Sequence, residues 1–402
     1  MKRYIISILL LSLIVLSIGA FYIQSAASGS PQFSLKKQTG SEKEADKVKI
    51  HGSYQNGNFI DVVTLTTDGS VYSKEMGLIN KTEQLFSDND GNQDLDKKYR
   101  SFMRGKNGMN SFYEDEDHLI FGDIEYHFGQ MANDFTFKLS MLEKESETEK
   151  NFDMKIPNKE KYSFISIEDI QLIGNKLKIL TRNADYDSDN TEVHLYTINL
   201  ANREVEEDKT VVSTENEAEN LFTDLQLLNS TNTRQPSQYA FFYKEISKNI
   251  EMEESTYSEP VSTELIMIDL EIGKEIKVDV PDDLQMKPRI LPYYDSDLLY
   301  FTQSGEKGLQ LVTYSYKDGK IVNSIGTGLE HGESGFQFAV KNGKAYILTT
   351  PDRIGQKPSS TPSLKIFDIK TGKELYQGVV ELKGQDKNKT EGYLMIDWLT
   401  IE

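Results

Sequence analysis

The chain has 402 residues, and its 64 acidic side chains outnumber 45 basic ones, for a formal net charge of −19. That balance argues against a nucleic-acid binder, since phosphate contact depends on concentrated Lys and Arg. Cysteine is absent, which excludes disulfides, Cys-ligated zinc, iron–sulfur clusters, thiol catalysis and a lipid-modified N-terminal Cys. Hydrophobic residues make up 37% of the chain and aromatics 10%, polar for a globular protein but too aromatic for a disordered one.

Met1-Lys2-Arg3-Tyr4 is followed by an uncharged run, Ile5 to Ile23. As a helix it reaches roughly 28 Å at about 1.5 Å per residue, close to the hydrocarbon thickness of a bilayer. Two readings fit: an uncleaved signal anchor over residues 1–24, or a secretory signal cleaved near Ser25-Ala26-Ala27. Both place Lys2 and Arg3 in the cytoplasm and everything after about residue 28 outside it. Residues 25–49 are rich in Ser, Gly, Lys and Glu, the composition of a flexible stalk.

From residue 50 to 402 the apolar pattern has the two-residue period of strands. Phe59–Thr66, His118–Phe121, Lys176–Leu180, Leu298–Thr302 and Lys344–Thr349 are the clearest examples. Tight-turn tips follow at Asp68-Gly69, Glu143-Lys144, Ala201-Asn202, Ile272-Gly273, Asp318-Gly319 and Thr371-Gly372, where Gly and Asn supply positive φ. Their spacing, and about four strands per interval, predict an all-β fold: a β-propeller of six or seven four-stranded blades after an N-terminal transmembrane helix. A seventh blade would have to lie around Tyr99–Met103, and Ser247–Ser262 reads as a polar insertion. The last segment, Gly392–Ile401, is expected to join the first blade and close the ring, with Trp398 as a closure residue.

Phe367-Asp368-Ile369-Lys370-Thr371-Gly372-Lys373-Glu374-Leu375-Tyr376 resembles the PQQ-like type of propeller repeat, and Ile268-Asp269-Leu270-Glu271-Ile272-Gly273-Lys274-Glu275-Ile276 is similar to it with Ile in place of Thr. The resemblance implies the fold and no activity. The quinone-dependent dehydrogenases of that superfamily are associated with calcium and a vicinal cysteine pair, and this chain has no cysteine. The interblade aromatic of the repeat is Tyr376 in one copy and Lys277 in the other.

Two acid-rich loops are candidate cation sites. Asp88, Asp90, Asn92 and Asp96 alternate in a pattern that resembles the calcium loops of integrin-type propellers, with Gln93 where glycine would turn the chain. Asp185, Asp187 and Asp189 alternate before Asn190. For both, calcium is the candidate ion, and a solvated strand connection is the competing reading. The five histidines, His51, His118, His127, His194 and His331, lack zinc spacing and read as structural or surface residues. No G-x-S-x-G elbow is present. The acidic runs Glu215–Glu219 and Glu251–Glu254 read as solvated faces.

The function expected is a membrane-tethered, extracytoplasmic, non-catalytic module for a protein or cell-envelope partner, with Tyr239, Tyr243, Tyr257, Tyr293 and Tyr294 as loop tyrosines suited to binding. The alternatives are an envelope carbohydrate- or peptide-directed enzyme with acids in the propeller channel, and a calcium-stabilised binding domain.

Overall fold

Alternation of apolar and polar residues along short strands, broken by turn residues, yields six sheets among the described residues, antiparallel but for one short added strand. The computed structural model describes residues 30–57, 59–75, 92–108, 110–126, 134–188, 190–214, 221–231, 234–251, 256–281, 284, 291–295, 297–305, 308–329, 335–350, 361–383 and 392–401. Among them no helix is long and apolar enough to cross a membrane. Ile5–Ile23 and Ser25–Ala27 lie outside the described residues, as do His127, His331, Glu215–Glu219 and the acids at 253 and 254.

The sheets are the blades of a β-propeller. Blade 2 runs Phe112–Glu114, His118–Glu125, Thr136–Glu143 and Thr148–Lys155, and blade 3 runs Tyr162–Ile173, Lys176–Asp185, Thr191–Asn199 and Glu204–Ser213. Blade 4 comprises Leu221–Leu227, Tyr239–Glu251, Thr256–Asp269 and Lys274–Val278. In blade 5, Tyr293–Tyr294, Leu298–Gly305, Gly308–Ser315 and Lys320–Gly326 follow one another, with Asn229–Ser230 added in parallel to Tyr293–Tyr294. All six sequence-predicted turn tips fall between the third and fourth strands of a sheet.

Both chain ends latch the ring. Tyr393–Ile401 pairs antiparallel with Val48–Asn56 and becomes the innermost strand of blade 1, whose other strands are Phe59–Leu65 and Ser70–Tyr72. This is the closure expected of the C-terminal segment. Phe33–Gly40 pairs with Glu374–Leu382 and adds a fifth strand outside Phe336–Lys341, Lys344–Thr349 and Ser363–Asp368 in blade 6. The assignment of residues 25–49 to a stalk is therefore corrected from Ser30 onward. Its few apolar residues are well placed: Leu35, Ala45 and Val48 are buried in the core between blades 6 and 1.

Two further expectations change. Tyr99–Met103 holds no blade: Arg100–Met103 is a short helix, and with the helix Gln93–Lys98 it packs Leu95, Phe102 and Met103 onto blade 2. Ser247–Ser262 does not interrupt its strands. Pairing continues from Ser247↔Pro260 to Glu251↔Thr256, so the polar segment lengthens a blade 4 hairpin.

Apolar clusters fill the seams between blades 2 and 3, 3 and 4, 4 and 5, 5 and 6, and 6 and 1. The seam between blades 2 and 3 is tight enough that a Cβ on Gly122 would lie 2.6 Å from Ile170 Cδ1. Between blades 6 and 1, Gln337 Oε1 accepts from Leu399 N–H at 2.9 Å and Lys341 Nζ donates to Ile401 O at 2.6 Å. The repeat motif explains its own residues here. Asp368 Oδ1 accepts from the N–H and hydroxyl of Thr371, Asp269 Oδ1 accepts from the N–H of Glu271, and Gly372 and Gly273 follow at φ +71° and +62°. Each carboxylate thus caps the turn that a positive-φ residue completes. Tyr376 is fully buried between blades 6 and 1, while Lys277 is exposed and paired with Glu264.

Candidate functional site

Of the first predicted cation loop, Asp88 and Asp90 lie outside the described residues. Asn92 is buried, with its amide donating to Gly108 O at 3.1 Å and its Oδ1 3.4 Å from Arg234 Nη1. Asp94, two residues on, receives both Arg234 nitrogens at 2.9 Å. Burial works against the Asp94 charge, but the bidentate guanidinium outweighs it and holds this carboxyl below its ordinary range. Asp96 lies in the helix Gln93–Lys98 and is not brought onto Arg234 with them. The structure therefore directs Asn92 toward a cation, but a side-chain one.

In the second loop, Asp185 Oδ2 accepts from Ser188 Oγ at 3.0 Å, and its Oδ1 is 3.8 Å from Lys161 Nζ. Asp187 is exposed and Asp189 lies outside the described residues. Among the described residues no three His, Asp or Glu side chains converge as a metal site.

Arg234 belongs to the feature that most shapes the centre of the ring. After Leu221–Leu227 the chain leaves blade 4 and pairs Asn229–Ser230 with the innermost strand of blade 5, where Thr231 N–H donates to Tyr294 O at 2.8 Å. Three residues later Arg234 O accepts from Glu114 N–H at 2.8 Å, on the innermost strand of blade 2. Ser237 N–H then donates to Gln171 Oε1 of blade 3 at 2.8 Å before the chain re-enters blade 4. Blades 5 and 2 are three places apart in the ring, yet three residues span at most about 11 Å. This strap therefore ties the inner strands of blades 5, 2 and 3 together.

Linked to it through Gln171 is Asp169, on the innermost strand of blade 3. Its carboxylate accepts from Ile170 N–H at 2.8 Å and from the Gln171 amide at 3.1 and 3.2 Å. Burial nevertheless pushes its pKa up to about 6, because those bonds do not replace the water lost. The same Gln171 anchors the strap, so Asp169 orients the residue that holds Ser237.

A second polar group surrounds His194, which is structural rather than a surface residue. His194 is buried, with Nδ1 2.6 Å from Asp208 and Nε2 3.0 Å from Glu192. Tyr162 donates its hydroxyl to Glu192 at 2.8 Å, and Lys161 donates to the same carboxylate at 2.9 Å. Burial opposes the imidazolium, but Asp208 and Glu192 together raise the His194 pKa. Glu192 is in turn pulled down to about 2 against its own burial by His194, Lys161 and Tyr162. The signal lay in Glu192-x-His194, since residues two apart on a strand share a face; Asp208 comes from the neighbouring strand and no local motif announces it. Chemically this is a buried strut that ties three strands of blade 3 together.

The expected binding tyrosines are mostly core. Tyr243 and Tyr294 are buried, whereas Tyr257, on the long blade 4 hairpin, is exposed. Trp398 lies in the closing strand as expected, but its ring is 41% exposed and stacks on His51 at 5.2 Å and 16°.

No known family profile matches the chain, and no curated protein does. Among solved structures it is similar to a Synechocystis apocarotenoid oxygenase mutant, at 11% identity and a TM-score of 0.34 over 66% of this chain and 58% of that one. It also resembles a Pyrococcus horikoshii acylaminoacyl peptidase, at 11% identity and TM-score 0.33 over 66% and 38% of the two chains. A Bacteroides fragilis protein assigned as a 6-phosphogluconolactonase matches at 11% identity and TM-score 0.30, over 84% of this chain and 95% of that one. The chain thus spans less than two thirds of the oxygenase and of the peptidase, and likenesses this distant carry no activity across.

Proposed function

We propose that the chain is a membrane-tethered, extracytoplasmic β-propeller of the PQQ-like type that binds a protein or cell-envelope partner and does not catalyse a reaction. The observation that carries this reading is the strap. Residues 229–231 and 234–238 lie at the centre of the ring, where a propeller enzyme would seat its substrate, and they are held there by bonds to blades 2, 3 and 5.

The binding element is the long hairpin of blade 4. Its strands continue past the blade to Glu251 and Thr256 and expose Tyr257 and Val261, at 47% and 59%. An exposed tyrosine on a projecting hairpin suits recognition better than folding. The test is a photo-crosslinking amino acid at Tyr257 in full-length protein in native membranes. A discrete adduct, lost when residues 248–259 are replaced by Asn-Gly, supports the reading. No adduct at any hairpin position, with Arg234→Ala or Asp169→Asn abolishing hydrolysis of an envelope polymer, would overturn it in favour of an enzyme.

A further inference from the structure

In blade 4 the outer strand stops short of its neighbour. Lys274–Val278 pairs with Leu265–Asp269 and goes no further. The neighbour continues from Glu264 back to Thr256, paired there on its inner side with Tyr239–Glu251. After Val278 the chain turns away toward blade 5: Tyr314 donates its hydroxyl to Asp279 O at 2.6 Å, and Leu284 is buried in the seam between the two blades. Every residue from Tyr257 to Thr263 is exposed, so both faces of the extension are open. Among the described residues no strand pairs with its outer edge.

Such an edge presents alternate N–H and C=O groups outward, as a template for a further strand. Thr256, Tyr257, Val261 and Thr263 are residue types that favour the extended state, which keeps the template in shape. Its charge selects what can lie on it. Residues 251–264 hold Glu251, Glu253, Glu254, Glu259 and Glu264 and no lysine or arginine. Glu264 is paired with Lys277 at 2.9 Å, and Glu259 is exposed. Two copies of this edge laid antiparallel about their midpoint would set Pro260, which has no N–H, opposite Pro260 and bring glutamates of one copy beside those of the other. Pairing with itself is opposed, and a basic strand is favoured.

We propose that the outer edge of Thr256–Glu264 takes up an extended, lysine- or arginine-bearing segment of a partner protein as an added strand of blade 4. This rests on the reading of the hairpin as the binding element and states what it binds.

The probe is a labelled twelve-residue peptide alternating lysine with valine and threonine, added to full-length protein in detergent and followed by fluorescence anisotropy and by hydrogen exchange. Pairing predicts saturable binding that weakens several-fold as salt rises from about 50 to 200 mM, with slowed exchange at alternate amides of residues 256–264. The same peptide N-methylated at alternate residues keeps its charge but cannot pair, and should bind at least roughly fivefold more weakly. Glu259→Lys, at an exposed position, should weaken the lysine peptide several-fold and leave the circular dichroism unchanged. Equal binding of the N-methylated peptide overturns edge pairing in favour of charge alone. No binding at low salt, with the Tyr257 crosslink still formed in membranes, overturns the edge and leaves the hairpin reading standing; loss of both overturns both. Exchange at 256–264 that is already slow without peptide also overturns the proposal, in favour of a second copy if the slowing grows with protein concentration and of this chain's own segments if it does not.

Discussion

The two faces of blade 1 are made by the same strands, and they differ as much as any two surfaces of the molecule. Toward blade 6, Val63, Leu65 and Tyr72 have no exposure, whereas Ile60, Val62 and Val71 between them are 64%, 48% and 48% exposed. Nothing in composition separates these residues: alternate positions of one strand carry valine or isoleucine on both sides. What separates them is the neighbour. Blade 6 is stitched to blade 1 by the N-terminal strand and by Gln337 and Lys341, and it supplies a surface against which apolar side chains can pack. Hydrophobic burial is non-directional, so a seam exists only where topology brings a second sheet up to it.

The largest effect should come from the packed face. Leu65→Ala is expected to cost about 2–5 kcal/mol, the usual range for a cavity in a filled core, read as a fall in the denaturant midpoint of the full-length protein. Val71→Ala on the same blade should cost a small fraction of that. Comparable losses at the two positions would show that the bare face is covered after all.

The centre of the ring encloses polar groups that an open face leaves to water. Asp169 has its pKa raised from 3.8 to about 6 by burial. A carboxyl raised on folding stabilises least once ionised: its contribution is complete below pH 4 and is lost as pH rises through 6. Asp169→Asn should therefore stabilise the protein by on the order of 2–3 kcal/mol at pH 7–8, and the gain should vanish below pH 4. Melting temperature against pH for both proteins checks it; an Asn variant less stable at pH 8 would mean that the charge itself holds Gln171 and the strap.

His194 gives a smaller effect with its own sign. Its folded pKa is raised, so its stabilisation is fully present below pH 6.5 and is lost as pH climbs through the raised value. His194→Gln should cost about 1–2 kcal/mol at pH 5.5 and clearly less at pH 9. A pH-independent difference would show that the ring acts by packing against Tyr162 and Tyr196 rather than by its charge.

The hairpins were legible because their signals are local. An Asp capping its own turn and a glycine at positive φ sit within five residues, as in Asp269–Gly273 and Asp368–Gly372, and these turns located blades 4 and 6. Phe33–Gly40 was not legible, because it is polar on its exposed side and apolar only at a few points; its partner Glu374–Leu382 is more than 300 residues away. Separation in sequence, 66 residues between Gln171 and Ser237, also hid the strap. Residues 229–231 and 234–238 look like any loop until Glu114, Gln171 and Tyr294 are seen to hold them. Asn92 was read as a calcium ligand; its described neighbour is the guanidinium of Arg234, which comes from 142 residues away and which no spacing rule could supply.

The smallest expected effect sharpens the comparison most. Ile60→Ser with Val62→Ser removes apolar surface that is already in water when the protein is in solution, so unfolding free energy should change by no more than about 0.5 kcal/mol. In the other seams the same exchange would bury hydroxyls without partners and cost several times as much. The pair should leave the denaturant midpoint unchanged. A large loss of stability in solution would mean that both faces of blade 1 are packed and that the two surfaces differ only in appearance.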